Sequence, residues 1–250
     1  RGFGTQLWRA EPLPCWPGDD SVALQLSYTS EDGEQGFPGR MEVRVRYTLA
    51  ADASWRIDYE ATTDRPTVVN LSHHDYFNLA GSGSALQHRL MLAASRYSEA
   101  GPGLIPRGVA SVEGTPFDFR QPTVIETRIR DGHPQLSLAR GYDHNWWLEA
   151  PRHGELHLAA RLEDAASGRV MTVETTEPAI QFYSGNFLDG SLDSRGDGSG
   201  RPYRQGDGVC LETQHAPDSP NQPEWPSTVL RPGEVFRSST VQRFGVSTRE

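Results

Sequence analysis

The dominant period along this chain is two. Val22, Leu24, Leu26 and Tyr28 alternate with smaller or polar neighbours, and Met41, Val43, Val45, Tyr47 and Leu49 alternate with Glu42, Arg44, Arg46 and Thr48. Trp55, Ile57, Tyr59 and Ala61 take up the pattern after a short connection, and Leu156, Leu158, Ala160 and Leu162 repeat it, followed by Val170, Thr172 and Glu174. Successive side chains of a strand leave on opposite faces, so each run predicts a strand with one face in a core and the other nearer water. No window of a dozen residues carries a 3.6 period. The 25 glycines and 18 prolines instead punctuate the runs as turns, as in Gly36-Phe37-Pro38-Gly39. Many strands with short turns and no helical interludes predict an all-β, mostly antiparallel β-sandwich. No repeat or composition shift marks a linker, so residues 1–250 read as one domain.

Four segments interrupt the apolar pattern. Asn70 to Leu79 holds His73, His74 and Asp75 within an apolar and aromatic run. Burying an unpaired polar group costs roughly 2–7 kcal/mol, so such residues persist where they are partnered or where a proton must move. Adjacent strand residues face opposite ways, so only one of the two histidines can address a given pocket. An imidazole with a pKa near ~6.5 can hold a proton for donation at neutral pH. In Gly141-Tyr142-Asp143-His144-Asn145-Trp146-Trp147 the polar residues again break a strand, and the tryptophans are either core or a stacking platform for a sugar ring. Glu212 follows Val209-Cys210-Leu211 and is either structurally paired or held as a general base with a raised pKa. Gln181 can hydrogen-bond a hydroxyl or satisfy a neighbouring strand end.

Charge and cysteine usage narrow the partners. With 24 Lys+Arg against 33 Asp+Glu the chain carries −9, which argues against nucleic acid and anionic membrane surfaces. No run of ~20 apolar residues offers a membrane span. Cys15 and Cys210 show neither metal-ligand spacing nor a disulfide framework, and there is no Cys-x-x-Cys, so no metal is expected. Few cysteines and no signal peptide suggest the cytoplasm, although the chain opens at Arg1 without a Met, so an upstream segment has been processed, trimmed or omitted. Ser184 to Gly208 reads as a solvated loop. Its Arg195-Gly196-Asp197 tripeptide is a chance co-occurrence of loop residues, and Asp189, Asp193 and Asp197 lack the dense spacing of a calcium loop. Asn70-Leu71-Ser72 fits a glycosylation acceptor but lies in an apolar run.

The ordered set of segments resembles the aldose 1-epimerase (galactose mutarotase) family. It comprises Gly36 to Gly39, Asn70 to Leu79, Gly114 to Arg120, Gly141 to Asn145, Gln181 to Asn186, Leu211 to Gln214, Pro217 to Asn221 and Pro226 to Glu234. The resemblance implies a galactose mutarotase-like supersandwich that interconverts the α and β anomers of free monosaccharides such as galactose or glucose without a cofactor. By position, Glu212 matches the family's general base and His74 its general acid; Asp143 and Gln181 match sugar-hydroxyl ligands, and Tyr76 borders the sugar. Two positions depart from the family pattern: His73 stands where asparagine is usual, and Asp75 where serine is usual. Arg1-Gly2-Phe3-Gly4 is similar to the segment just after the family's His-Gly-Gly motif, which implies a sandwich lacking its N-terminal strands. Two rivals remain: a glycoside hydrolase using Asp143 and Glu212 as paired carboxylates, and a non-catalytic sugar-binding module. Oligomeric state is left open.

Overall fold

The computed structural model describes residues 2–16, 18–149, 154–194 and 200–247. The Arg195-Gly196-Asp197 tripeptide falls outside them. Two large antiparallel sheets dominate. The larger has nine strands, in the spatial order Arg9–Pro12, Ser21–Ser30, Met41–Ala50, Ser54–Thr63, Phe236–Val246, Arg169–Thr175, His157–Glu163, Arg89–Leu92 and Thr123–Val124. The smaller has five, in the order Cys210–Gln214, Ala179–Tyr183, Asp143–Trp147, Arg96–Ala100 and Pro106–Ser111.

Inward side chains of the two sheets share one core. Leu90, Leu92, Ala160, Leu162, Met171 and Val173 come from the larger sheet, and Tyr97, Trp146, Ile180, Phe182 and Leu211 from the smaller. Phe117 and Phe119, on the connection between Ser111 and Thr123, fill the space between them; Phe117 stacks on Tyr97 with ring centroids 4.2 Å apart. Such aromatic side chains bury roughly 150–250 Å² each and supply much of the apolar driving force. The one α-helix among the described residues, Pro134–Ala139, spans 6 residues, too short for a 3.6 period to show in the sequence.

Alternation identifies the strands but misassigns some of their faces. Met171, Val173 and Thr175 are buried, not Val170, Thr172 and Glu174. Cross-strand partners explain this: Val170 and Thr172 lie opposite Glu163 and Arg161, whereas Met171 and Val173 lie opposite Leu162 and Ala160. The run from Leu156 to Leu162 does not share one face, because the register shifts between Leu158 and Ala160. That irregularity leaves Leu156 and Leu158 exposed and turns Ala160 and Leu162 inward. Val22 (57% exposed) and Leu24 line up as expected on one face of Ser21–Ser30, yet they stay half in water beside the fully exposed edge strand Arg9–Pro12.

Candidate active site

Register in the smaller sheet assembles the polar residues. Gln181 pairs with both Asn145 and Glu212, and Tyr183 pairs with both Asp143 and Cys210. Directly opposed residues project to the same face, so Asp143, Gln181, Tyr183 and Glu212 share the outer face while His144, Trp146, Phe182 and Leu211 turn to the core.

The histidine segment is not a ladder strand as the sequence suggested. Its only bridge is Phe77 with Val209. It is an extended strap tied alongside the strand Cys210–Gln214. Asn70 Nδ2 donates to the His215 carbonyl at 2.9 Å, Ser72 Oγ to the Thr213 carbonyl at 2.9 Å, and Phe77 N to the Val209 carbonyl at 2.8 Å. Partner numbers fall along the strap as its own numbers rise, which brings position 74 opposite positions 211 and 212.

His74, Tyr76, Asp143, Gln181 and Glu212, all singled out in the sequence, line one cleft of about 400 Å³. Tyr183, Phe187, Gln214 and Pro217 complete its wall and were missed. The strand period could have found two of them, since Tyr183 and Gln214 lie two residues beyond Gln181 and Glu212 on the same face. Phe187 and Pro217 sit in turns and carry no such signal. A larger cavity of about 760 Å³ near Val69, Thr228 and Phe236 contains none of the five.

His74 Nε2 stands 3.7 Å from Glu212 Oε1, and His74 Nδ1 stands 3.5 Å from Cys210 Sγ. The imidazole is 56% exposed and the carboxylate only 14%. Burial, reinforced by the Asp143 charge and opposed by His74, pushes the Glu212 carboxyl up to about 7. Burial likewise raises Asp143, against the hydrogen bond that Gln181 Nε2 donates to its Oδ1 at 2.8 Å. With its amide N–H committed there, Gln181 turns a buried Oε1 without a protein partner. Tyr76, pushed up to about 12 by burial, keeps its phenol proton.

A glycine sets the start of the strand bearing Asp143. Gly141 has φ +141°, and a Cβ there would meet Asn186 Oδ1 at 2.4 Å. Asn186 needs that space, because its Nδ2 donates to the Ala139 and Tyr142 carbonyls at 2.9 and 2.8 Å.

The remaining polar interruptions are structural. His73 turns away from the cleft as strand alternation required. Its Nδ1 is 2.6 Å from the Tyr59 hydroxyl, and its ring meets Tyr47 and Trp55 edge-on at 5.3 and 5.5 Å. Burial lowers the His73 pKa and raises that of Asp75, whose Oδ2 lies 3.8 Å from His73 Nε2. His144 is pushed down to about 4 by burial and meets Gln135. The tryptophans are not a sugar platform: Trp146 is core, and Trp147 packs on Trp225 with ring centroids 5.0 Å apart. The aromatic rings that do line the cleft are Tyr76, Tyr183 and Phe187.

Known proteins resemble this chain in both sequence and fold. A family model described as aldose 1-epimerase matches residues 2–243. The galactose mutarotase of Mus musculus is 42% identical over 249 residues, covering 98% of this chain and 68% of the mouse protein. The aldose 1-epimerase of Escherichia coli K12 is 43% identical over 247 residues, covering 97% of this chain and 68% of its own length. The crystal structure of a galactose 1-epimerase from Lactobacillus acidophilus superposes with a TM-score of 0.82 at 27% identity, over 97% of this chain and 68% of that one. The fold is thus the galactose mutarotase-like sandwich, present here over about two thirds of the relatives' length, and the chain belongs to the aldose 1-epimerase family.

Proposed function

We propose that His74 and Glu212 are the acid and base with which this aldose 1-epimerase interconverts the anomers of a free aldohexose such as galactose or glucose. The observation that carries the reading is the 3.7 Å approach of His74 Nε2 to Glu212 Oε1 inside a cleft of about 400 Å³, within the range of small-ligand sites. Anomers exchange only if the hemiacetal opens, and opening needs a proton removed at one oxygen and delivered at another. Glu212 takes the proton of the C1 hydroxyl as the bond from C1 to the ring oxygen breaks, and protonated His74 delivers a proton to that oxygen. The aldehyde then rotates about C1–C2. Closure on its other face returns both protons: the C5 hydroxyl gives one to His74, and Glu212 gives the other to the carbonyl oxygen. No proton is consumed overall. Each group is worth roughly 10²–10⁴ in rate, most when its pKa lies near the working pH, as the value of about 7 for Glu212 does.

Asp143 and the free Oε1 of Gln181 accept hydroxyl hydrogens, and Tyr76 borders the ring. The partner is a monosaccharide, and the chain's −9 charge disfavours nucleic acid or an anionic membrane surface. No helix among the described residues is long and apolar enough to cross a membrane. The exposed free thiol of Cys15 suits a reducing, cytoplasmic setting.

The test is Glu212→Gln followed by polarimetry on fresh α-galactose and α-glucose. The expected result is a loss of at least ~10²-fold in kcat with KM little changed, and no sugar released from glycosides by either protein. A variant as fast as wild type would remove Glu212 from the mechanism.

A further inference from the structure

The strap that carries His74 to Glu212 also brings it to the Cys210 thiol, 136 residues away in sequence. We propose that His74, Cys210 and Glu212 form a binding site for a thiophilic divalent metal such as Zn²⁺, and that occupancy of this site stops mutarotation. The inhibitory part rests on the acid–base reading above; the binding part does not.

Donor type and separation both support the site. One ligand atom from each residue lies within 4.8 Å of the other two. In a tetrahedral zinc site with bonds of about 2.0–2.3 Å, ligand atoms stand roughly 3.3–3.7 Å apart. The contacts of 3.5 Å to Cys210 and 3.7 Å to Glu212 already approach that spacing. They involve different ring nitrogens, so a single ion requires the half-exposed imidazole to turn beside the Tyr76 ring, 5.2 Å away. His74 and Glu212 line the cleft, and Cys210 is buried.

Burial first, and then the carboxyls of Glu212, Asp75 and Asp143, push the Cys210 thiol pKa up, so the buried sulfur keeps its proton until a cation displaces it. On binding, the thiol proton goes to solvent and a metal–sulfur bond forms, with no change of oxidation state. Sulfur, imidazole and carboxylate together select Zn²⁺ or Co²⁺ over Mg²⁺ and Ca²⁺, which take oxygen sets. A coordinated His74 nitrogen cannot shuttle a proton and a coordinated Glu212 cannot accept one, so the bound metal silences both.

The experiment titrates untagged protein with Co²⁺ and follows the near-ultraviolet thiolate-to-cobalt charge-transfer band, then displaces cobalt with Zn²⁺. Wild type and Cys15→Ser should both show the band, and Cys210→Ser should lose it. In polarimetry, Zn²⁺ should slow wild type reversibly on chelation with EDTA. Against Cys210→Ser, scaled to its own metal-free rate, Zn²⁺ should be at least about tenfold less potent, since even losing a ligand's outer support costs 10–100-fold. Zinc K-edge absorption on wild type should show one sulfur in a nitrogen/oxygen shell, a readout that needs no variant. No band, a band lost with Cys15 instead, or a sulfur-free zinc shell overturns the site. A band at Cys210 combined with zinc-insensitive mutarotation overturns the inhibition and counts against His74 and Glu212 as the acid–base pair. Normal mutarotation without metal binding leaves that pair standing and the metal site refuted.

Discussion

His73 and His74 are neighbours in the chain and serve opposite layers of the molecule. The first is anchored in the larger sheet, edge-on to Tyr47 and Trp55 and hydrogen-bonded to Tyr59. The second hangs over the smaller sheet, its ring 5.2 Å from Tyr76 and its Nε2 3.7 Å from Glu212. Their side chains are 19% and 56% exposed. Burial lowers the pKa of His73, so it serves as a neutral hydrogen-bonding plug. Opposite the half-exposed His74 ring, the desolvated group is the Glu212 carboxylate. One strap thus sends neighbouring residues to opposite layers, one anchored in the larger sheet and one lining the cleft.

Exchanging the two effects by mutation is the hardest test of that division. His74→Asn should lower kcat by about 10²–10⁴-fold while changing stability by no more than ~0.5 kcal/mol. His73→Ala should do the reverse: under tenfold in kcat, but roughly 2–4 kcal/mol of stability, from the emptied aromatic site and a Tyr59 hydroxyl without its partner. Polarimetry and denaturant melts on both proteins decide it. Equal rate losses would mean the strap acts as one unit.

The cleft side depends on backbone that only glycine permits. Gly141→Ala should cost at least about 2 kcal/mol, because the new Cβ meets Asn186 Oδ1 at 2.4 Å from a positive φ. Asp143 follows two residues later, so kcat/KM should fall on the order of tenfold while the His73 anchorage stays intact. A variant with wild-type kinetics and stability would show that the Asn186 cluster does not position Asp143.

Glu212 sharpens the comparison through pH. As a base it must be ionised, so kcat/KM should rise as pH climbs through about 7. Its folded pKa lies above the unfolded value of roughly 4.3, so the native state holds the proton more tightly. The stability this confers is complete below about pH 4 and is lost as pH rises to about 7. Glu212→Gln escapes that loss and should exceed wild type in stability at pH 8 by on the order of 1–3 kcal/mol. Melts at pH 4 and pH 8 should show the gain at the higher pH only; a pH-independent difference would remove the buried charge as its cause.

Much of this was legible in the sequence because strand chemistry is local. The period of two located Met41–Ala50 and Ser54–Thr63 closely, and it required His73 and His74 to part. Where faces were misread, long-range pairing overrode the local signal: Val170 lies outward because Glu163 is its partner. Whether Trp146 was core or a sugar platform stayed open because sequence shows an aromatic ring but not which side of a sheet it takes. Cys210 showed no metal-ligand spacing because such spacing presumes local motifs, whereas its contact with His74 arises from a strap aligned by Asn70, Ser72 and Phe77.

The smallest expected effect tests whether the Tyr59 hydrogen bond or the aromatic packing holds His73. Burial raises the Tyr59 pKa, so its hydroxyl stays protonated beside His73 Nδ1, 2.6 Å away. Tyr59→Phe keeps the ring and deletes that single bond, which is worth about 0.5–1.5 kcal/mol. Tyr47 and Trp55 remain to seat the imidazole, so kcat should change by less than about twofold and the melt should shift by only a few degrees. A rate loss approaching that of His74→Asn would mean that the anchorage of one histidine sets the reactivity of the next, and the separation between the two layers would fail.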